Sequence, residues 1–188
     1  MKGSRDATIF LDRDGTLNPD PGYISSLDQF RFYTDAMDAL DRLARGGFSF
    51  VIVTNQSGIG RGIIPLTAME SINDFISQSF DRRNIPLLGI YTCPHLPEEG
   101  CDCRKPGTGM FEQASADHHI VLGDSYLIGD SVRDIQAGKS LGVTTLLVRT
   151  GNGGESEASL SETGMEADFT GDSLVECAEF ILAGKTHS

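Results

Sequence analysis

The segment that most constrains this chain is Ile9-Phe10-Leu11-Asp12-Arg13-Asp14-Gly15-Thr16. The run from Thr8 to Leu11 is too short for a helix and is apolar, which predicts a buried strand. Asp12 and Asp14 follow where the strand passes into a loop. Two carboxylates this close repel each other unless a cation or a shared proton relieves them. Mg²⁺ suits such a site because it takes oxygen ligands and keeps waters that a phosphate can displace. The alternative is an ordinary surface turn, since Asp and Gly are common turn residues.

Strand-like and helix-like segments alternate along the rest of the chain. This order predicts an α/β fold with a doubly wound parallel sheet. No inserted segment is long enough for a separate cap domain. Residues 18–32 are expected to form a loop or hairpin over the acidic turn, and residues 151–166 a mobile surface loop. The predicted strands are 8–11, 48–53, 87–91, 126–128 and 144–148. The predicted helices are 36–44, 109–117, 132–140 and 174–182. One more helix is predicted to begin at Thr67 as its N-cap, with Glu70 completing a capping box.

Composition limits the range of partners. A length of 188 residues predicts one domain covering 1–188. The net charge of −12 argues against nucleic-acid binding, which needs a basic surface. It leaves anionic substrates open, because a metal and a few cations can invert the local sign of the charge. The chain has no apolar run of membrane-spanning length, and residues 1–6 lack the apolar core of a signal sequence. We therefore expect a cytoplasmic protein without nucleic-acid or membrane partners. A small single domain with an open site can work alone, so we also expect a monomer.

A second polar loop follows the predicted strand 48–53. Thr54, Asn55, Gln56 and Ser57 offer hydroxyl and amide groups, and Gly58 allows close approach of the backbone. Such a loop can bind phosphate oxygens through a hydroxyl and backbone N–H groups. A helix N-cap is the alternative interpretation.

Two further segments offer charged groups. Lys105 would neutralise charge on a phosphate, and Arg104 could grip a carboxylate or phosphate oxygens, although a solvated basic pair is the simpler interpretation. Asp130 follows the predicted strand 126–128 and can complete a carboxylate set for the metal. Asp134, one helical turn later, can bind through water or orient its neighbours, and an Asp at a helix start is also favourable to the helix dipole.

A metal site of another kind is predicted from Cys93, His95, Cys101 and Cys103. Three thiolates and one imidazole form a tetrahedral Zn²⁺ set without an open position, so this zinc should be structural. In a reducing compartment the clustering of cysteines favours metal over disulfide, and free buried cysteines are the alternative. The loop at 93–103 leads directly into Arg104.

In this order, the segments around Asp12, Thr54, Lys105 and Asp130 resemble the haloacid dehalogenase (HAD) superfamily of phosphatases, over about residues 9–151. The resemblance implies that Asp12 attacks phosphorus and forms an aspartyl phosphate. It implies that Asp14 protonates the leaving alkoxide and then deprotonates water, and that Thr54 and Lys105 hold the phosphoryl group. It also implies Mg²⁺ bound by the Asp12 carboxylate, the Asp14 backbone carbonyl and Asp130.

Within the superfamily, the zinc loop followed by Arg104-Lys105-Pro106 resembles two related groups, the heptose 1,7-bisphosphate 7-phosphatases and the histidinol phosphatases. The segments 10–18, 54–62 and 147–151 are more similar to the first group. That likeness implies Mg²⁺-dependent removal of the C7 phosphate of D-glycero-D-manno-heptose 1,7-bisphosphate. Two alternative substrates are histidinol phosphate, which the short zinc loop favours, and another small sugar phosphate. A third alternative is that the chain is not an enzyme but a zinc-stabilised binding protein on an inactive scaffold. The likeness places seven residues near the substrate: Asp20, Gly22, Tyr23, Asn55, Gln56, Ser57 and Arg104.

The second phosphate of such a substrate needs a cation. Arg61, Arg104 and Arg133 are the candidates, and the sequence does not rank them.

Overall fold

A single six-stranded sheet organises the molecule. The computed structural model describes residues 7–185, so the segment 1–6, which is predicted to lack the apolar core of a signal sequence, lies outside the described residues. All pairings between neighbouring strands are parallel, and the strand order is β3-β2-β1-β4-β5-β6. The predicted α/β fold with a doubly wound parallel sheet is confirmed, and no cap domain is inserted between residues 7 and 185. The strands are β1 (Thr8–Leu11), β2 (Ser49–Asn55), β3 (Leu87–Cys93), β4 (Tyr126–Gly129), β5 (Thr144–Val148) and β6 (Phe169–Gly171).

Seven α-helices connect or follow these strands in the described part of the chain. The stretch 18–32 is a loop with a single 3-10 turn at Leu27–Gln29. Among residues 7–185 no helix is both long and apolar enough to cross a bilayer. The helices are α1 (Ala36–Arg45), α2 (Ser57–Gly60), α3 (Leu66–Asp81), α4 (Gly109–His118), α5 (Val132–Leu141), α6 (Gly153–Thr163) and α7 (Leu174–Lys185).

Two local predictions were wrong. Thr67 does not cap α3, because Pro65 occupies the N-cap position in an extended conformation and Thr67 already lies inside the helix. The predicted mobile loop 151–166 contains helix α6. This helix begins where Gly153 packs directly against the Val148 backbone, and it buries Ser156 and Leu160 against the rest of the protein. Strand β6 was not predicted.

The core lies on both faces of the sheet. Ile9 and Leu11 of β1 point into one cluster together with apolar residues of α1, α3 and α7. Phe10 points into the opposite cluster, where it packs against Phe111 of α4. This alternation explains why Ile9, Phe10 and Leu11 of β1 are all apolar, since a parallel strand covered on both faces has no polar side. Cys177 is buried in the first cluster, as its apolar surroundings in the sequence indicate.

The register of the central strands brings the polar segments together. Leu11 of β1 lies beside Ile52 of β2 and Ile128 of β4. The loops that follow these three strands therefore meet at the carboxyl edge of the sheet, which is where open α/β sheets bind ligands. A larger cavity of about 530 Å³ lies at the opposite edge and contains none of the predicted site residues.

Candidate active site

A cavity of about 170 Å³ opens at the carboxyl edge of the sheet. Arg104 does not line it; its Nη1 instead donates to the backbone carbonyl of His95 at 3.3 Å, in the zinc loop. Sequence reasoning gave no role to Asn152, which also lines the cavity. The lining contains these predicted residues: Asp12, Asp14, Asp20, Gly22, Tyr23, Thr54, Asn55, Gln56, Ser57, Lys105 and Asp130.

Lys105 forms the buried centre of the site. Its Nζ donates to Asp12 Oδ1 at 2.5 Å and to the Val53 carbonyl at 2.8 Å, and it forms an ion pair with Asp134 Oδ1 at 2.6 Å. Burial disfavours the charged ammonium, but the two carboxylates outweigh it and hold the pKa of Lys105 above its usual value. Asp134 also accepts from the hydroxyl of Ser131 at 2.6 Å. Asp134 thus orients Lys105 from within the first turn of α5.

Asp12, Asp130 and Asp134 bring three carboxylates close together, each with an oxygen within 4.8 Å of the others. Burial raises the pKa of Asp12, against the opposing charge of Lys105. Burial also raises the pKa of Asp130 to about 6, although the backbone N–H of Asn152 opposes this. One ammonium does not balance three carboxylates. The remaining negative charge and the all-oxygen donor set fit Mg²⁺.

The Asp14 carboxylate is held by four N–H groups. Nε and Nη2 of Arg13 reach its two oxygens at 3.0 and 2.7 Å, the amide of Asn18 reaches Oδ1 at 2.9 Å, and the amide of Gln56 reaches Oδ2 at 2.6 Å. Arg13 has no exposed side-chain surface, and its Nη1 contacts the sulfur of Met69. Sequence reasoning missed Arg13. An arginine placed between two acids in a strongly apolar segment was the available signal.

Two glycines allow the backbone to approach Asp130. Gly15 has φ +89° and Gly151 has φ +56°, and a Cβ at either position would overlap the Asp130 carboxylate. The hydroxyl of Thr150 joins the two loops by donating to the Gly15 carbonyl at 2.6 Å. Asp130 itself accepts from the backbone and side-chain nitrogens of Asn152, at 2.8 and 3.2 Å.

β2 extends through Thr54 and Asn55, beyond its predicted end, and its carboxyl end holds the site together. Asn55 and Lys105 exchange two hydrogen bonds: the Lys105 backbone N–H donates to Asn55 Oδ1 at 3.0 Å, and Asn55 Nδ2 donates to the Lys105 carbonyl at 3.1 Å. At the mouth of the cavity, Asp20 accepts from the backbone N–H of Gly22 at 2.8 Å. Burial raises the pKa of Asp20. Tyr23, 43% exposed, forms part of the rim.

The predicted zinc ligands also come together. Sγ of Cys103 lies 3.1 Å from Sγ of Cys93, 3.4 Å from Sγ of Cys101 and 3.2 Å from Nδ1 of His95. These separations exceed a disulfide bond length of about 2.0 Å. They approach the edges of about 3.8 Å that a tetrahedron with Zn–S bonds of about 2.3 Å requires. The four residues therefore fit Zn²⁺, with no position left for a substrate.

Comparison with known proteins agrees with this geometry. Residues 102–177 match the HAD-hydrolase-like family. The chain is 41% identical over 181 residues to a D-glycero-β-D-manno-heptose-1,7-bisphosphate 7-phosphatase of Haemophilus ducreyi, covering 92% of this chain and 97% of the relative. It is 44% identical over 151 residues to the protein of the same name from Escherichia coli K12, covering 76% of this chain and 79% of the relative.

A solved structure is similar over nearly the whole fold. The crystal structure of the D,D-heptose 1,7-bisphosphate phosphatase of B. bronchiseptica, in complex with magnesium and phosphate, superposes with a TM-score of 0.86 and 32% identity. The match covers 95% of this chain and 99% of that one. With identity and coverage of this extent, the chain belongs to the HAD phosphatases and, among them, to the family of the D-glycero-β-D-manno-heptose-1,7-bisphosphate 7-phosphatases.

Proposed function

We propose that this protein is a Mg²⁺-dependent phosphatase that removes the C7 phosphate of D-glycero-β-D-manno-heptose 1,7-bisphosphate. One observation carries the catalytic part of the proposal: Asp12, Asp14, Thr54, Lys105 and Asp130 line a single cavity. The names of the relatives support the substrate and its anomer. A zinc-stabilised binding protein on an inactive scaffold would have no need of this complete set.

In the proposed reaction, a carboxylate oxygen of Asp12 attacks phosphorus while the bond from phosphorus to O7 breaks. Asp14 gives a proton to the leaving alkoxide. It then takes a proton from the water that attacks the aspartyl phosphate, which releases inorganic phosphate and restores Asp12. Thr54 and Lys105 hold the phosphoryl oxygens. Mg²⁺, when held by Asp12, Asp130 and the Asp14 carbonyl, supplies positive charge where negative charge accumulates.

The distal phosphate is assigned to Arg133. Lys105 lies 2.5 Å from Asp12, the proposed nucleophile, and therefore serves the transferring phosphoryl group and not the distal one. Arg133 is exposed and lines the same cavity, and its guanidinium has no hydrogen bond or ion pair to another residue in 7–185. Arg104 is engaged with the zinc loop, and neither it nor Arg61 lines the cavity. An unpaired guanidinium is well suited to bidentate binding of a phosphate.

Phosphate release with Mg²⁺ tests the function, using the β and α anomers of heptose 1,7-bisphosphate and histidinol phosphate side by side. We expect the β anomer to have the highest kcat/KM, and Asp12→Asn to lose at least about 1000-fold in kcat because it removes the nucleophile. Preference for histidinol phosphate would overturn the substrate assignment. An Asp12→Asn variant as active as the parent would overturn the covalent route.

A second assay tests Arg133. Arg133→Gln should raise KM for the bisphosphate about 30-fold, the equivalent of about 2 kcal/mol for a charged hydrogen bond. It should leave KM for a sugar monophosphate unchanged. Arg45→Gln is the control, because Arg45 lies at the end of α1 near the opposite edge of the sheet and pairs with Asp41. If Arg31→Gln rather than Arg133→Gln raises KM, the distal phosphate lies instead in the adjoining cavity that Arg31 and Tyr23 line.

The setting of this activity is also proposed. We infer a cytoplasmic, monomeric, single-domain enzyme, as the sequence predicts, without nucleic-acid or membrane partners. Light scattering coupled to gel filtration should give the mass of one chain. A dimer mass would contradict the monomer.

A further inference from the structure

Gln56 is buried within the catalytic cavity, with 4% of its surface exposed. Family resemblance places it among the substrate contacts. Its side-chain nitrogen lies 2.6 Å from Asp14 Oδ2 and 2.8 Å from the hydroxyl oxygen of Thr54. The atom facing the carboxylate must be nitrogen, because only an N–H group can donate to that oxygen.

Both donors of the Gln56 amide are therefore used inside the protein. An amide NH₂ group carries two hydrogens, and here one is directed to Thr54 and the other to Asp14. No amide hydrogen remains to donate to a sugar oxygen, so the side chain could contact the sugar only by accepting through Oε1. Both amide hydrogens are committed to two groups of the catalytic machinery.

The two partners of Gln56 act on the same phosphoryl group. The Thr54 hydroxyl accepts from Gln56, so its own hydrogen is free to turn toward a phosphoryl oxygen. Asp14 exchanges protons with the leaving oxygen and with the attacking water. Since both groups are bound to one nitrogen, Gln56 sets the distance between them. Displacements of about 1 Å at such sites can cost about 100-fold in rate.

On the basis of the proposed function, we propose that Gln56 is a positioning residue, which fixes the Thr54 hydroxyl and the Asp14 carboxylate relative to each other, and is not a contact for the sugar. Its amide replaces part of the solvent that would otherwise bind both groups. Substrate binding does not depend on it, whereas turnover does.

The test compares Gln56→Met with the parent enzyme on two substrates, heptose 1,7-bisphosphate and p-nitrophenyl phosphate. Methionine has a similar length but no donor. We expect kcat to fall about 30-fold or more on both substrates, with KM within about twofold of the parent. Gln113→Met is the matched control, because the amide of Gln113 donates to Asp117 on the surface; its kinetics should not change.

p-Nitrophenyl phosphate separates the two roles because it has no sugar. A sugar contact would raise KM for the bisphosphate and leave p-nitrophenyl phosphate unaffected, and that result would overturn the proposal. If Gln56→Met disturbs folding, its unfolding temperature will be lower than that of the parent. In that case Gln56→Glu is the second variant, because glutamate keeps the shape of glutamine and lacks the NH₂ group. If the parent hydrolyses only p-nitrophenyl phosphate, the heptose assignment fails, but kcat on p-nitrophenyl phosphate still tests the positioning role of Gln56. A parent inactive on both overturns both proposals.

Discussion

Gly151 shows how little space the site leaves around Asp130. An alanine here would combine a left-handed backbone, φ +56°, with a Cβ that overlaps the Asp130 carboxylate. We expect Gly151→Ala to lower phosphatase activity about 100-fold, because the carboxylate must move, and to lower the free energy of unfolding by about 2 kcal/mol. Gly164→Ala is the control, because Gly164 has a similar left-handed backbone, φ +69°, but open space around its Cβ position. We expect this variant to lose about 1 kcal/mol of the free energy of unfolding and to keep its activity. Equal activities of the two variants, measured by phosphate release, would contradict this account.

Lys105 contributes to stability as well as to the proposed chemistry. Replacing it with methionine leaves the buried Asp12 and Asp134 without their shared cation. In Mg²⁺-free buffer, Lys105→Met should lower the free energy of unfolding by about 3 kcal/mol, since unpaired buried charge is costly. Lys139→Met should cost less than about 1 kcal/mol, because its pair with Asp168 is more than a third exposed. Urea unfolding measures both, and similar losses would refute the buried-charge explanation.

Among the elements, β5 is tied to the chain just before β6 by Asp168. Its carboxylate accepts from the backbone N–H and hydroxyl of Thr145, at 2.7 and 2.8 Å, and from Lys139 at 2.6 Å. Burial raises the pKa of Asp168, but these donors outweigh it and lower the pKa overall. A lowered pKa in the folded state means that the stabilisation is present above the unfolded-state pKa, about 3.9, and is lost as the pH falls through the folded-state value.

Asp168→Asn should reduce the free energy of unfolding by no more than about 1 kcal/mol at pH 7, because the carboxylate is 41% exposed and solvent weakens its interactions. The difference should shrink below about pH 4. Asp172→Asn, which alters an exposed pair with Arg149, should change stability by less than about 0.5 kcal/mol. Urea titrations at several pH values provide the test. If the stability difference between the parent and Asp168→Asn grew toward acid pH, the pKa of Asp168 would be raised and not lowered in the folded state.

Elements with a regular apolar pattern were predictable, and elements without one were not. β1 and β5 match their predicted limits because each is an unbroken run of apolar or β-branched residues, TIFL and TTLLV. Helix α6 buries only Gly153, Ser156 and Leu160. Its sequence therefore lacks the periodic apolar pattern that predicts a helix, and its composition is typical of a flexible loop. β6 has three residues. Both depend on packing against β5, which local sequence does not encode.

The same distinction applies to the site. Residues carried by one short segment, such as Asp12 with Asp14, were predictable because the end of a parallel strand fixes their location. Contacts between distant segments were not. Examples are Gln56 with Asp14 and Asn152 with Asp130. Such pairs arise from sheet register and loop packing, so the sequence indicates which groups are present but not which of them bind each other.

Across the whole molecule, the zinc loop connects the core to the catalytic edge. Cys93, at the end of β3, is buried in the cluster around Phe10 and Val51. Its carbonyl accepts the backbone N–H of Gln56 at 2.7 Å. At the other end of the loop, Cys103 is separated from Lys105 by one residue. We therefore expect a change in the zinc cluster to displace two residues of the cavity, Gln56 and Lys105.

Loss of zinc should accordingly reduce both stability and activity. Cys103→Ser removes one of the four ligands, and because the energy of zinc binding is part of the folding energy, we expect the unfolding temperature to fall by about 10 °C or more. Activity should fall with it, through displacement of Lys105. Cys177→Ala, which alters the cysteine outside the cluster, should keep one zinc per chain and most of its activity. Metal analysis, thermal unfolding and phosphate release on the same samples measure the three quantities. Full activity in a zinc-free sample would show that the zinc loop does not position Lys105, and would overturn the proposed link between zinc binding and activity. An unchanged unfolding temperature in a zinc-free Cys103→Ser variant would show that the ion does not stabilise the fold.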